Sequence, residues 1–269
     1  MSEENRLKNE WDFGAQAWLG FVRAGKDIHR DALNNPAMFK LAGKIEGQLV
    51  LDLACGEGYN TRILARKGAK CVGIDFSRKM IDLARKEEEK ESLGISYYVV
   101  DATDLKQFSD SSFDLVTCFM SLQDIKNYRA GIAEVSRVLK NHGRFIFSIP
   151  PPCFENIVLK GKELKASAVY FREVEYPLKW EMEKLARPFK TTSHHRPLTN
   201  YLRALSVNNL LVSRLLEPRP TKQASLKHPH LRRHRFTPQS IIVESTKWPT
   251  LRLGMVRRVS ANELEGHVF

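Results

Sequence analysis

Only four cysteines occur, Cys55, Cys71, Cys118 and Cys153, and no two of them form a C-x-x-C pair or stand at metal-ligand spacing. A disulfide-stapled scaffold and a cysteine-built metal module are therefore excluded. Cys55, Cys71 and Cys118 fall in or beside apolar runs and read as reduced packing residues. No apolar run is long enough to span a bilayer. The N-terminus, MSEENRLKNEW, has no apolar secretory core. Internal repeats and RNP-like motifs are also missing. These absences lead us to expect a reduced, cytoplasmic protein. Its 269 residues are enough for one large domain with a sizeable core and a smaller cap.

Charge is missing from one half and abundant in the other. Residues 1–150 hold 22 Lys or Arg against 21 Asp or Glu, whereas residues 151–269 hold 21 against 10. The net +12 thus comes almost entirely from the C-terminal part. Such a bias suits nucleic acid, an anionic surface or an acidic small molecule. A basic surface with no specific partner is the simpler account, since no stacked-aromatic motif accompanies it.

The most informative stretch is VLDLACGEGYNT, residues 50–61. An apolar run ends in Asp52, Gly56 and Gly58 follow, and an apolar-periodic segment begins: a strand, a tight turn and the start of a helix. Glycines there let backbone approach a ligand, and the helix N-terminus behind them offers unpaired N–H groups. The pattern predicts a nucleotide-like ligand across the turn. A dinucleotide fingerprint would place a third glycine where Thr61 stands, so that signal is incomplete. A second strand, Lys70 to Ile74, ends at Asp75, whose carboxylate suits a pair of ribose hydroxyls. A third, Ile95 to Val100, ends at Asp101-Ala102, an acid for an adenine amino group beside a residue small enough to admit the ring. A fourth runs from Phe113 to Phe119.

These pieces resemble a class I S-adenosylmethionine-dependent methyltransferase of the small-molecule, UbiE-like (methyltransferase type 11) group. The matching segments are LDLACGEG at 51–58, VGIDFSRKMIDLAR at 72–85, VVDATDL at 99–105, FDLVTCFMSLQDI at 113–125 and EVSRVLKNHGRFIFSI at 134–149. The resemblance implies an α/β fold: a Rossmann-like, doubly wound, seven-stranded, mostly parallel sheet with an antiparallel last strand. To this it adds a helical N-terminal lid and a cap insertion after strand five. The expected divisions are a lid at 1–44, a cofactor half at 45–149, a cap at 150–197, the rest of the domain at 198–248 and a disordered tail at 249–269. Trp11 to Leu41 reads as helical with a break at Ala32 to Pro36. Asn141-His142-Gly143 reads as a turn before strand five, Arg144 to Ile149. Leu198 to Leu205 reads as a helix, and Leu210 to Leu216 and Ser240 to Ser245 as the last strands, flanking a basic, Pro-rich segment at 218–238.

The implied cofactor is S-adenosyl-L-methionine. Ala54, Cys55 and Gly56 would present backbone to its amino-acid end, Gly58 would relieve crowding at the helix start, and Asp52 would orient the loop or the amino group. Asp75 would hold the ribose, with Phe76 and Met80 packing beside the adenine or in the core. Asp101 and Ala102 would meet the adenine edge, and Phe119 would pass near the sulfonium.

For catalysis the candidates are His195, as base, substrate contact or loop anchor, and Asp124, as a polar site residue or a helix cap. Tyr170 and Trp180 are candidates for an apolar wall. The small-molecule subgroup often shows His-Pro-Cys after strand five, where this chain has Pro151, Pro152 and Cys153. Neither the carboxylate cluster of a metal-dependent O-methyltransferase nor the Asn/Asp-Pro-Pro-aromatic run of adenine N-methyltransferases is present. A small-molecule acceptor is the preferred partner. An RNA docking through the basic half remains an alternative, as does a non-catalytic scaffold.

Overall fold

The computed structural model describes residues 3–159, 162–181 and 185–249. The first elements are helix α1 (Glu3–Arg23), a π-helical turn (Arg30–Asn34) and α2 (Asn35–Ala42). Strands and helices then alternate: β1 (Leu49–Leu53), α3 (Tyr59–Arg66), β2 (Lys70–Asp75), α4 (Arg78–Lys90), β3 (Ser96–Val99), β4 (Phe113–Cys118), α5 (Tyr128–Val138) and β5 (Leu139–Ile149). Two hairpins follow, β6 (Asn156–Leu159) with β7 (Lys162–Lys165), and β8 (Val174–Trp180) with β9 (Phe189–His195). The chain continues through α6 (Leu198–Val207), β10 (Leu210–Leu216), α7 (Lys222–Lys227), a 3-10 turn (Pro229–Arg235) and β11 (Ile241–Lys247).

The main sheet has seven strands in the order β10-β11-β5-β4-β1-β2-β3. Strands β1 to β5 run parallel, and β11 lies antiparallel between β5 and β10. The expected mostly parallel sheet with an antiparallel last strand is therefore present. Successive residues point to opposite faces, as the strand period of two requires. Leu51, Val116 and Phe145 enter one core layer, with Ile132 and Tyr201 of α5 and α6. Val50, Leu115 and Ile146 enter the other, with Met38, Leu64 and Ile81 of α2, α3 and α4. Strand order reverses between β1 and β4, and the crevice at their carboxyl ends is where such sheets place a ligand.

Several local expectations are corrected. Helix α1 begins at Glu3, ahead of Trp11, and the helical break falls at 24–27, around Gly25 at φ 62°, not at Ala32 to Pro36. Pro36 sits in the first turn of α2, where its missing N–H costs nothing. Asn141-His142-Gly143 is a bulge within β5, not a turn before it; His142 takes φ 62° and the pairing with β4 shifts register there. The basic segment at 218–238, for which the sequence carried no expectation of structure, holds α7 and the 3-10 turn. The tail from residue 250 lies outside the described residues.

Candidate active site

A cavity of about 1450 Å³ opens at the carboxyl edge of the sheet. Asp52, Ala54, Cys55 and Gly56 line it from the β1–α3 loop, Asp75, Phe76 and Met80 from the tip of β2, and Asp101, Ala102 and Phe119 from beyond β3 and β4. Ten of the eleven residues expected to touch a cofactor thus share one wall. The eleventh, Gly58, stands behind the loop. It caps α3 at φ 78°, and a Cβ there would lie 2.4 Å from the Tyr97 hydroxyl, so both conformation and space require glycine.

The loop is held by carboxylates. The Gly56 N–H donates to Asp75 Oδ2 at 2.9 Å and the Ser77 N–H to Asp75 Oδ1 at 2.8 Å. Each oxygen keeps lone-pair capacity for a ligand hydroxyl. Asp52 accepts from Thr61 Oγ1 at 2.6 Å and Thr117 Oγ1 at 2.9 Å. Burial pushes both Asp52 and Asp75 up to about 6. Asp101 Oδ1 accepts from the Thr103 N–H and hydroxyl, which sets the turn that presents Ala102. Met80 is 2% exposed and packs with Ala15 and Leu19 of α1, so it joins α1 to the cavity wall.

The far side of the cavity is built by the β4–α5 loop, the segment before β6 and the β8–β9 hairpin. Asp124, Glu155, Tyr176, Leu178, Trp180 and Ser193 face it. Asp124 is not a helix cap, because Asn127 accepts the Ala130 N–H at the start of α5. Its Oδ2 accepts from Gln123 Nε2 at 3.3 Å, and its Oδ1 is buried without a hydrogen-bond partner. Burial pushes the Asp124 carboxyl up to about 7, with the Ser193 hydroxyl and then the positive Arg196 opposing.

His195 does not reach this wall. It is fully buried, with Nδ1 3.3 Å from Glu155 Oε2 and Nε2 3.1 Å from the Tyr170 carbonyl. Both ring nitrogens are engaged, one of them by Glu155, which lines the cavity. Tyr170 also lies off the cavity lining, whereas Trp180 is on it.

Sequence reasoning missed the parts that long-range packing brings in. Arg196, 2% exposed, donates to the carbonyls of Ile125 at 2.8 Å and Lys126 at 2.9 Å and stacks 4.3 Å from the Tyr128 ring. It thereby fixes the loop that carries Asp124. Trp11 and Trp18 of α1 meet Trp180 at centroid distances of 5.9 and 5.1 Å, closing an aromatic wall. Arg6 bonds Thr192 at 2.7 Å and Glu175 at 2.6 Å, and so ties α1 to the hairpin. An aromatic residue or arginine in a helix has no sequence signature for such a role.

Residues 51–147 match the family model described as a methyltransferase domain. The chain is 35% identical over 145 residues to a demethylmenaquinone methyltransferase of Clavibacter sepedonicus, covering 53% of this chain and 57% of that one. It is 30% identical over 154 residues to a ubiquinone biosynthesis O-methyltransferase of Coxiella burnetii, covering 55% and 64%. The chain thus spans less than two thirds of the length of either relative. In fold, it superposes on an S-adenosylmethionine-dependent methyltransferase from Mesorhizobium loti with a TM-score of 0.64 at 24% identity, covering 78% of this chain and 96% of that one.

S-adenosylmethionine is the cofactor that the sequence resemblance implies. The residues present fit it: Asp75 offers two acceptor oxygens at the tip of β2, Ala102 leaves room for a ring, and the glycine loop brings backbone to the cavity. No helix among the described residues is long and apolar enough to cross a membrane.

Proposed function

We propose that this protein transfers the methyl group of S-adenosylmethionine to an O, N or C nucleophile of a small molecule. The observation that carries this reading is the single cavity joining the Asp75 cradle to the pocket of Asp124 and Glu155. Bound S-adenosylmethionine supplies an already activated methyl group on a sulfonium. The chain's own residues then have three tasks: to hold that group, to place the acceptor about 3 Å away in line, and to exclude water.

Asp75 holds the ribose. Asp124 takes a proton from an acceptor hydroxyl or ammonium, for which a value near 7 is well matched to neutral pH. Glu155, steadied by His195 and by the Tyr176 hydroxyl at 3.3 Å, sets the orientation of the polar end of the pocket. Trp11, Trp18 and Trp180 supply a flat apolar wall, which suits a ring-bearing acceptor. The names of the two relatives, a demethylmenaquinone and a ubiquinone-biosynthesis methyltransferase, are in keeping with such an acceptor.

Calorimetric titration with S-adenosylhomocysteine tests the cofactor assignment. The wild type should bind it, and Asp75→Ala should weaken binding by about 1.5–3 kcal/mol through the lost charge-assisted bonds. Unchanged affinity in the variant would remove Asp75 from the site. Activity on metabolite pools that is flat with salt supports the small-molecule reading; steep salt dependence on RNA would replace it.

A further inference from the structure

One stretch of the cavity wall carries polar atoms that the fold leaves unmet. Asn34 is 1% exposed and lines the cavity, and neither its Nδ2 nor its Oδ1 has a hydrogen-bond partner. Asn35, also buried, donates Nδ2 to Asn60 Oδ1 at 2.6 Å, but its own Oδ1 is unpartnered. Arg30 donates Nε to Asp31 at 2.8 Å, while its Nη2 is buried with no acceptor. Leaving such groups unmet costs about 1–3 kcal/mol each. Packing alone does not explain four of them on three residues of one cavity wall.

The set has a definite chemistry. Arg30 is a fixed cation, Asn34 offers an amide N–H, and Asn34 and Asn35 offer carbonyl oxygens. A carboxylate alone would leave the carbonyls unmet, and an ammonium alone would leave the guanidinium unmet. An α-amino carboxylate satisfies both. The set is also tied to the glycine loop. The Arg30 guanidinium lies 4.0 Å from the Tyr59 ring, and Asn35 is bonded to Asn60. Tyr59 and Asn60 are the first two residues of α3, directly after Gly58. Arg30 and Asn34 bound a π-helical turn, a geometry that gathers at functional sites.

We propose that Arg30, Asn34 and Asn35 form a clamp for the α-amino and α-carboxylate groups of the cofactor's methionine end, acting together with the backbone of 54–56. The proposal rests on the S-adenosylmethionine reading above. A free amino acid would present the same groups, but the ties to Tyr59 and Asn60 place the clamp at the cofactor loop.

The test compares S-adenosylhomocysteine with 5′-methylthioadenosine, which keeps the nucleoside thioether and lacks the amino acid. Arg30→Ala should weaken S-adenosylhomocysteine binding about 10- to 100-fold, the cost of a lost charge-assisted bond, and leave 5′-methylthioadenosine unchanged. Asn34→Leu should weaken S-adenosylhomocysteine in the same selective way while raising the Tm of the ligand-free protein, because it removes an unmet buried amide. Equal losses for both ligands would make these residues part of the fold and overturn the clamp, as would S-adenosylhomocysteine affinity unchanged in both variants. A wild type that binds neither ligand would overturn the cofactor reading itself, an outcome separate from the variant comparison.

Discussion

Thr61 donates its hydroxyl to Asp52 at 2.6 Å from the position where a dinucleotide-binding loop keeps its third glycine. The missing glycine is therefore replaced by a function. In a dinucleotide fold that glycine lets helix and strand pack closely; here a hydroxyl holds a carboxylate that is 1% exposed at the tip of β1. Thr61→Val keeps the shape and deletes the bond. It should destabilise the protein by about 1–3 kcal/mol in urea unfolding at pH 7 and push Asp52 further upward. Unaltered stability would show that Thr117 alone suffices.

Asp124 links pH to both stability and rate. Its folded value near 7 stands well above an unfolded value of about 3.9, so between those limits the folded state keeps a proton that the unfolded state has released. The stability this proton confers is fully present below about pH 4 and is lost as pH rises through 7. His29 acts in the opposite sense: burial and the neighbouring His234 push it down to about 4, so its contribution is lost as pH falls. The informative quantity is therefore the difference between wild type and Asp124→Asn. Wild-type stability should decline relative to the variant from pH 4 to 7 in chemical denaturation. If Asp124 is the base, methyl transfer should also rise with pH to a plateau above 7, and Asp124→Asn should lose this rise together with 10²–10⁴-fold of the rate. A parallel pair of stability curves would deny Asp124 its raised value.

Two glycines of α1 should respond with opposite sign. A Cβ on Gly14 would stand 2.3 Å from the Phe189 ring, which is buried and stacked on Trp180, whereas a Cβ on Gly20 meets nothing within 4 Å. Gly20→Ala should stabilise by up to about 1 kcal/mol through helix propensity. Gly14→Ala should instead cost about 1–3 kcal/mol by forcing α1 from the β8–β9 hairpin, and should open the aromatic wall. Thermal unfolding of the pair checks both, and a shared sign would mean that α1 is not pinned at Phe189.

Much of the fold was legible because its signals are local. Apolar runs of strand length, acids at the tips of β1 to β3 and the glycines of the first turn each depend on neighbours within a few residues. That the residues after β1, β2 and β3 line one cavity followed as well, since the loops after consecutive parallel strands must meet at one sheet edge. The errors were of a different kind. Pro36 suggested a break because proline usually ends a helix, yet at the first turn of α2 it continues one. Asn141-His142-Gly143 carries turn chemistry that a strand can also absorb as a bulge.

The acceptor side shows the limit most clearly. His195 and Asp124 looked equivalent as polar residues near the right loops. Which of them faces the cavity depends on how the β8–β9 hairpin folds over the β4–α5 loop, held there by Arg196 and by His194, whose Nδ1 lies 3.0 Å from the Gln123 carbonyl. Those contacts span about seventy residues of chain. The sequence by itself determined the strand-and-helix alternation, the parallel sheet and the cradle at its edge, because hydrophobic period and turn chemistry are written within each segment. Only the tertiary structure decided that Asp124 faces the cavity while His195 is buried behind Glu155, and that Arg30, Asn34 and Asn35 meet the glycine loop. Burial and hydrogen-bond partners are properties of the packed whole, and no short window of residues contains them.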